Sequence, residues 1–164
     1  MCRGTGFYIN IPEAENYVIL TAGHNLIDTN RELSQDLVVG GPPEGGLSVR
    51  GKGLKIFIST SYKVTPNHSN AENDYGAILI PKEDNSNPRG FGFALKLGHD
   101  NLRGYGLDVS GYQPYPGPGP VTSTGQCIGC WENQLEYNVP TQEGLSGSPV
   151  FIPYEGHETA VAIQ

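Results

Sequence analysis

The chain has 164 residues, enough to bury a core of ordinary size but short for two complete barrels. Ten Lys and Arg against 17 Asp and Glu give a formal charge of −7, and the basic residues are few and scattered, which argues against a general nucleic-acid or anionic-membrane binder. Every apolar stretch is far shorter than a membrane span, and Met1 runs directly into strand-like sequence without a charged and apolar leader.

With 23 glycines, 13 prolines and no window carrying the period of a long amphipathic helix, the sequence reads as all-β, many short strands joined by tight turns. Phe7, Ile9 and Ile11 alternate onto one face of a first strand. Tyr17-Val18-Ile19-Leu20 is a continuous apolar run, as expected of a strand buried on both faces, and Thr21-Ala22-Gly23-His24 closes it. A glycine- and proline-punctuated loop follows from Gly40 to Gly46, then a β-rich run, Lys55-Ile56-Phe57-Ile58-Ser59-Thr60. Asn73-Asp74-Tyr75-Gly76 sets an aspartate just before the second continuous run, Ala77-Ile78-Leu79-Ile80. The turn formers Asn85-Ser86-Asn87-Pro88-Arg89-Gly90 mark the expected connection between an N-terminal unit, 1–88, and a C-terminal unit, 89–164.

Further along, Gln113 to Pro120 contains the run PYPGPGP, which reads as a long surface loop rather than a proline-rich ligand. Cys127-Ile128-Gly129-Cys130 has the C-x-x-C spacing of metal and redox sites, but no second pair or suitably spaced histidine accompanies it. It is read as a small disulfide loop or as two free thiols, with Cys2 left to pair outside the chain or to sit buried in a strand. His68, His99 and His157 lie among polar turn residues and are expected at the surface. His24 and Asp28, four apart, lack the helix and third ligand that a metal site needs, so no metal or cofactor is expected.

The chemistry concentrates in three segments. Gly144-Leu145-Ser146-Gly147-Ser148-Pro149-Val150 presents a serine between glycines ahead of an apolar strand. A serine hydroxyl is a poor nucleophile at neutral pH and needs a base that can take and return a proton, which is the work of a histidine. A carboxylate must in turn orient that histidine and stabilise its charged form. His24, Asp74 and Ser146, in that order, supply the three groups in one of the few sequence orders known to combine them. Gly144 permits a turn that aims its own N–H and that of Ser146 at the oxyanion of a tetrahedral intermediate. Ser148, followed by Pro149 and lacking the preceding turn, is read as a structural hydroxyl.

These segments, with Cys2-Arg3-Gly4-Thr5-Gly6-Phe7, Val109-Ser110-Gly111-Tyr112 and Thr159-Ala160-Val161-Ala162-Ile163, appear in the order seen in chymotrypsin-like serine proteases. The chain resembles the glutamyl endopeptidase branch most, over essentially its whole length. The resemblance implies two antiparallel β-barrels with the active site in the cleft between them. It also implies a polypeptide substrate, acyl transfer through an acyl-enzyme, no nucleic-acid or membrane partner, and secretion. In that branch a threonine before the nucleophile and a histidine on the strand after it receive an acidic substrate side chain. Thr141 matches the first, and Gln164 stands where the histidine belongs. Leu145 replaces the aspartate through which trypsin-type enzymes are switched on by a new N-terminus. The strand and helix that complete the second barrel in the family are not in this sequence, so the resemblance implies a C-terminal barrel that is truncated or completed by another segment. A non-catalytic protease-like binding module is the alternative reading.

Overall fold

The computed structural model describes residues 4–34, 37–40, 49–50, 54–82, 88–94, 102–114, 119–131 and 133–164. Cys2, His99, and residues 41–46, 85–87 and 115–118 of the three expected turn-rich stretches lie outside them.

Twelve strands form in the described residues. The N-terminal ones are β1 (Gly6–Ile9), β2 (Asn16–Thr21), β3 (Val38–Val39), β4 (Val49–Arg50), β5 (Lys55–Ile58) and β6 (Gly76–Pro81). A four-stranded antiparallel sheet takes the order β1-β2-β6-β5, and β3 pairs with β4 separately. Its register stacks Ile19 against Ile78, and Ile56 against Ile78 on the other side. Ile19, Ile78 and Ile80 are buried with Leu26, while Val18, Leu79 and Ala77 between them are only half-buried. The continuous apolar runs therefore cover one face fully and the other in part, the usual state of an antiparallel sheet, instead of being buried on both. Ile11 falls beyond β1 and is 37% exposed, so only Phe7 and Ile9 of the expected trio lie in the strand. Thr60 likewise leaves the β-rich run to start a short helix, α1 (Thr60–Val64).

The C-terminal strands are β7 (Gly92–Phe93), β8 (Gly106–Gly111), β9 (Val121–Cys130), β10 (Leu135–Tyr137), β11 (Pro149–Tyr154) and β12 (His157–Ile163). They make one sheet in the order β10-β9-β8-β11-β12-β7, antiparallel except where β7 runs parallel to β12. The core beneath holds Leu107, Val109, Val150 and Ile152, all at most 4% exposed. A hydrogen bond from the Tyr137 hydroxyl on β10 to Gln164 Oε1, just past β12, shows that this sheet is rolled. The two strands are four places apart in the order, or about 19 Å in a flat sheet at roughly 4.8 Å per step, further than those side chains can reach together.

Phe91 and Thr5 stitch the two sheets. Phe91 exchanges backbone hydrogen bonds with Tyr8 and Asn10, at 2.8 and 2.9 Å. Its ring packs between Phe7 (5.6 Å, edge-on) and Phe151 (5.0 Å). Thr5, 4% exposed, uses every polar group it has. Its N–H donates to Ser146 O (2.8 Å), its hydroxyl donates to Gly144 O (2.8 Å) and accepts from Tyr112 N (2.9 Å), and its carbonyl accepts from the Thr21 hydroxyl (2.7 Å).

Candidate active site

His24 enters the site on a single 3-10 turn, Gly23–Asn25, at the end of β2. Asp74 caps a second such segment, His68–Asn73, and lies two residues before β6 begins. Because β2 and β6 are hydrogen-bonded neighbours with Thr21 opposite Gly76, the two residues leave the same end of the sheet side by side. Asp74 then grips His24 twice. Oδ1 accepts the backbone N–H at 2.8 Å, and Oδ2 lies 2.7 Å from Nδ1. A carboxylate can only accept, so Nδ1 carries the proton and Nε2 is left as the ring's acceptor. The His24 side chain is 41% exposed and that of Asp74 20%, so the imidazole meets solvent while the carboxylate is largely covered. Tyr62 on α1 closes the far side, with its hydroxyl pushed above its ordinary pKa by burial and then by the Asp74 charge.

Ser146 sits on a turn held from both sheets. Its carbonyl accepts from Thr5 N at 2.8 Å and from Asn25 Nδ2 at 2.9 Å, which ties the residue after His24 to the serine's main chain. Gly147 makes that closeness possible. Its φ is +87°, a region costly for side-chain-bearing residues, and a Cβ there would stand 2.2 Å from Thr5 O and 2.3 Å from Thr21 Oγ1. Gly144 has φ of +90° and a Cβ there would lie 2.5 Å from Tyr112 O.

Accounting for the turn's backbone N–H groups separates two from the rest. Leu145 N donates to Gln142 O, Gly147 N to Gln164 O and Ser148 N to Leu145 O. Gly144 N and Ser146 N have no acceptor among the described residues, although Gly144 is buried. Two N–H groups without an acceptor among the described residues, beside a serine, are suited to an incoming oxygen.

The structure thus joins His24 to Asp74 and puts the Ser146 turn against Asn25, while no hydrogen bond links Ser146 Oγ to the His24 ring among the described residues. Gln164 is anchored beside the turn, accepting from Gly147 N at 2.6 Å and donating to Ser148 O at 2.9 Å. Thr141 is exposed and makes no side-chain hydrogen bond among the described residues. Ser148 is 0% exposed and its hydroxyl has no partner among the described residues, so it is sealed from any substrate. Thr5, Asn25, Tyr62 and Tyr137 carry no local pattern that marks them, except that Asn25 follows the histidine and Thr5 lies in the GTGF segment.

Elsewhere, a surface depression of about 270 Å³ between Tyr8, Tyr17, Lys82 and Arg89 is lined by none of the three proposed catalytic residues. Among the described residues no cluster of three His, Cys, Asp or Glu is placed to hold a metal, and no helix is long and apolar enough to cross a membrane.

Two linked sheets of mostly antiparallel strands, with a His–Asp pair at the end of one and a glycine-flanked serine turn on the other, make this an all-β, chymotrypsin-like fold. The chain is similar to a Glu endopeptidase solved in complex with MPD, with a TM-score of 0.63 and 20% identity over 89% of this chain and 72% of that one. No protein-family model matches the chain, and no curated protein matches it in sequence.

Proposed function

We propose that the chain is a serine endopeptidase working through an acyl-enzyme, with its site between an N-terminal barrel, 1–88, and a C-terminal barrel, 89–164. His24 Nε2 takes the proton from Ser146 Oγ as that oxygen attacks the peptide carbonyl. Asp74 holds the ring in the required tautomer and stabilises the imidazolium. The N–H groups of Gly144 and Ser146 receive the oxyanion, and His24 then returns its proton to the departing amine. Water deacylates the serine by the same steps. The observation that carries this reading is the doubly bonded His24–Asp74 pair, tied through Asn25 to a turn whose Gly144 and Ser146 N–H groups have no acceptor among the described residues. Thr141 and Gln164 are the residues proposed to receive the side chain before the cleaved bond, one whose tip accepts hydrogen bonds, as acidic side chains do.

The non-catalytic alternative draws on the missing Ser146–His24 hydrogen bond. Such bonds are often long without substrate and tighten in the Michaelis complex, so this is a weak argument against chemistry. Turnover of a mixed peptide library decides between the two. Ser146→Ala is expected to lower kcat by roughly 10⁴-fold or more while the thermal transition stays in place. Equal hydrolysis by wild type and variant would overturn the assignment.

A further inference from the structure

We propose that Cys127 and Cys130 are a thiol–disulfide exchange site, which a low-molecular-weight disulfide oxidises reversibly to an intramolecular bridge. The proposal is independent of the protease reading, since it uses neither the serine turn nor the His24–Asp74 pair.

The pair is assembled by a slip in strand register. Between Glu136 and Tyr137 the β9–β10 ladder skips Ile128, and the sulfurs of Cys127 and Cys130 come to 3.3 Å from one another. Both are free thiols, and a bond between them needs the sulfurs to close by little more than about 1 Å. Bridge formation and opening therefore ask for no rearrangement of the sheet. A metal is a poorer occupant, because zinc takes four ligands and no group of three His, Cys, Asp or Glu converges among the described residues.

The surroundings give the two cysteines different parts. Cys127 is 1% exposed, in the core with Leu107, Val109 and Val150. Its main chain is held at both polar groups, its N–H donating to Tyr105 O (2.9 Å) and its carbonyl accepting from Gly104 N (2.8 Å). Cys130 packs against that core half-buried, at the end of β9, where Trp131 N donates to Gln134 O in the turn that follows. Cys130 is thus the sulfur that a solute reaches, and Cys127 is fixed behind it. As a thiolate, Cys130 Sγ attacks one sulfur of the external disulfide and the first small thiolate leaves. Cys127 Sγ then attacks Cys130 Sγ, breaks the mixed disulfide and releases the second. The two cysteine protons end on the two released thiols, and the two electrons that the pair gives up reduce the external disulfide.

Trp131, the chain's one tryptophan, lies beside the site, its ring so close over Gly129 that a Cβ there would be 2.6 Å away. A disulfide quenches a neighbouring excited indole by accepting an electron from it. The test exposes the fully reduced chain to glutathione disulfide, follows Trp131 fluorescence, then quenches with acid, alkylates in urea and maps the peptides. The expected result is loss of two alkylatable thiols to a Cys127–Cys130 bridge and a fall in fluorescence, both reversed by dithiothreitol without denaturant. Cys127→Ala is expected to trap Cys130 as a lasting mixed disulfide with glutathione. Cys130→Ala is expected to leave Cys127 unmodified, and it covers the case in which the core variant fails to fold. Both thiols still alkylated after oxidant, a bridge from either one to Cys2, or a bridge that dithiothreitol opens only in urea would overturn the proposal.

Discussion

A histidine whose Nδ1 faces a carboxylate keeps one tautomer, and this local fact gives His24 its proposed role as a base. The types and order of His24, Asp74, Gly144 and Ser146 were legible in the sequence because each sits in a short segment whose chemistry is local. Tyr137 and Thr5 were not, because they act through contacts made across 27 and 139 residues, which no neighbouring pattern records. Gly147 stands between these cases. Its position beside the serine was visible, but the reason it must be glycine is the Thr5 carbonyl, supplied by the other sheet. Gly147→Ala combines a left-handed backbone with an overpacked contact and is expected to destabilise the fold by roughly 2–5 kcal/mol, read as a lower urea midpoint. A midpoint unchanged from wild type would show that the turn can move away from Thr5.

At the scale of elements, the all-β reading held where alternation or apolar runs marked the strands and failed at their ends. Thr60 passed as strand by propensity but begins α1. The C-x-x-C segment shows why spacing alone was ambiguous. It lies in β9, where residues three apart would be separated by about 10 Å, too far for a disulfide bridge. A bulge intervenes: Glu136 pairs with Gly129 and Tyr137 with Cys127, leaving Ile128 extra and pointing outward at 45% exposure. The bulge turns both cysteines to one side as free thiols with sulfurs 3.3 Å apart. Burial, then the Cys130 contact, pushes the Cys127 thiol up to about 11. The folded state therefore favours the neutral thiol, a contribution fully present below an ordinary thiol pKa of about 9 and lost as the pH climbs toward about 11. In native protein at pH 8, iodoacetamide is expected to spare Cys127, which becomes reactive as the pH approaches 11 or in urea. Rapid modification of Cys127 at pH 8, located by peptide mapping, would contradict that burial.

For the whole molecule, no local pattern in the sequence records how the two sheets are clamped. The serine turn is joined to the N-terminal sheet through Thr5, the residue just before β1. Thr5 is the clamp. Thr5→Val leaves the buried Gly144 O and the half-buried Tyr112 N–H unpaired, and is expected to cost roughly 2–4 kcal/mol. Activity should fall at temperatures where the variant is still folded, because the turn proposed to hold the oxyanion hangs from the same hydroxyl. A variant with wild-type stability and turnover would show that Thr5 does not hold the turn. Treating the purified chain with a fluorophosphonate and mapping the adduct by peptide mass spectrometry tests whether Ser146 is the nucleophile. Labelling is expected at Ser146 and is expected to disappear in His24→Ala. Folded protein that takes no label, or takes it at another residue, would contradict it.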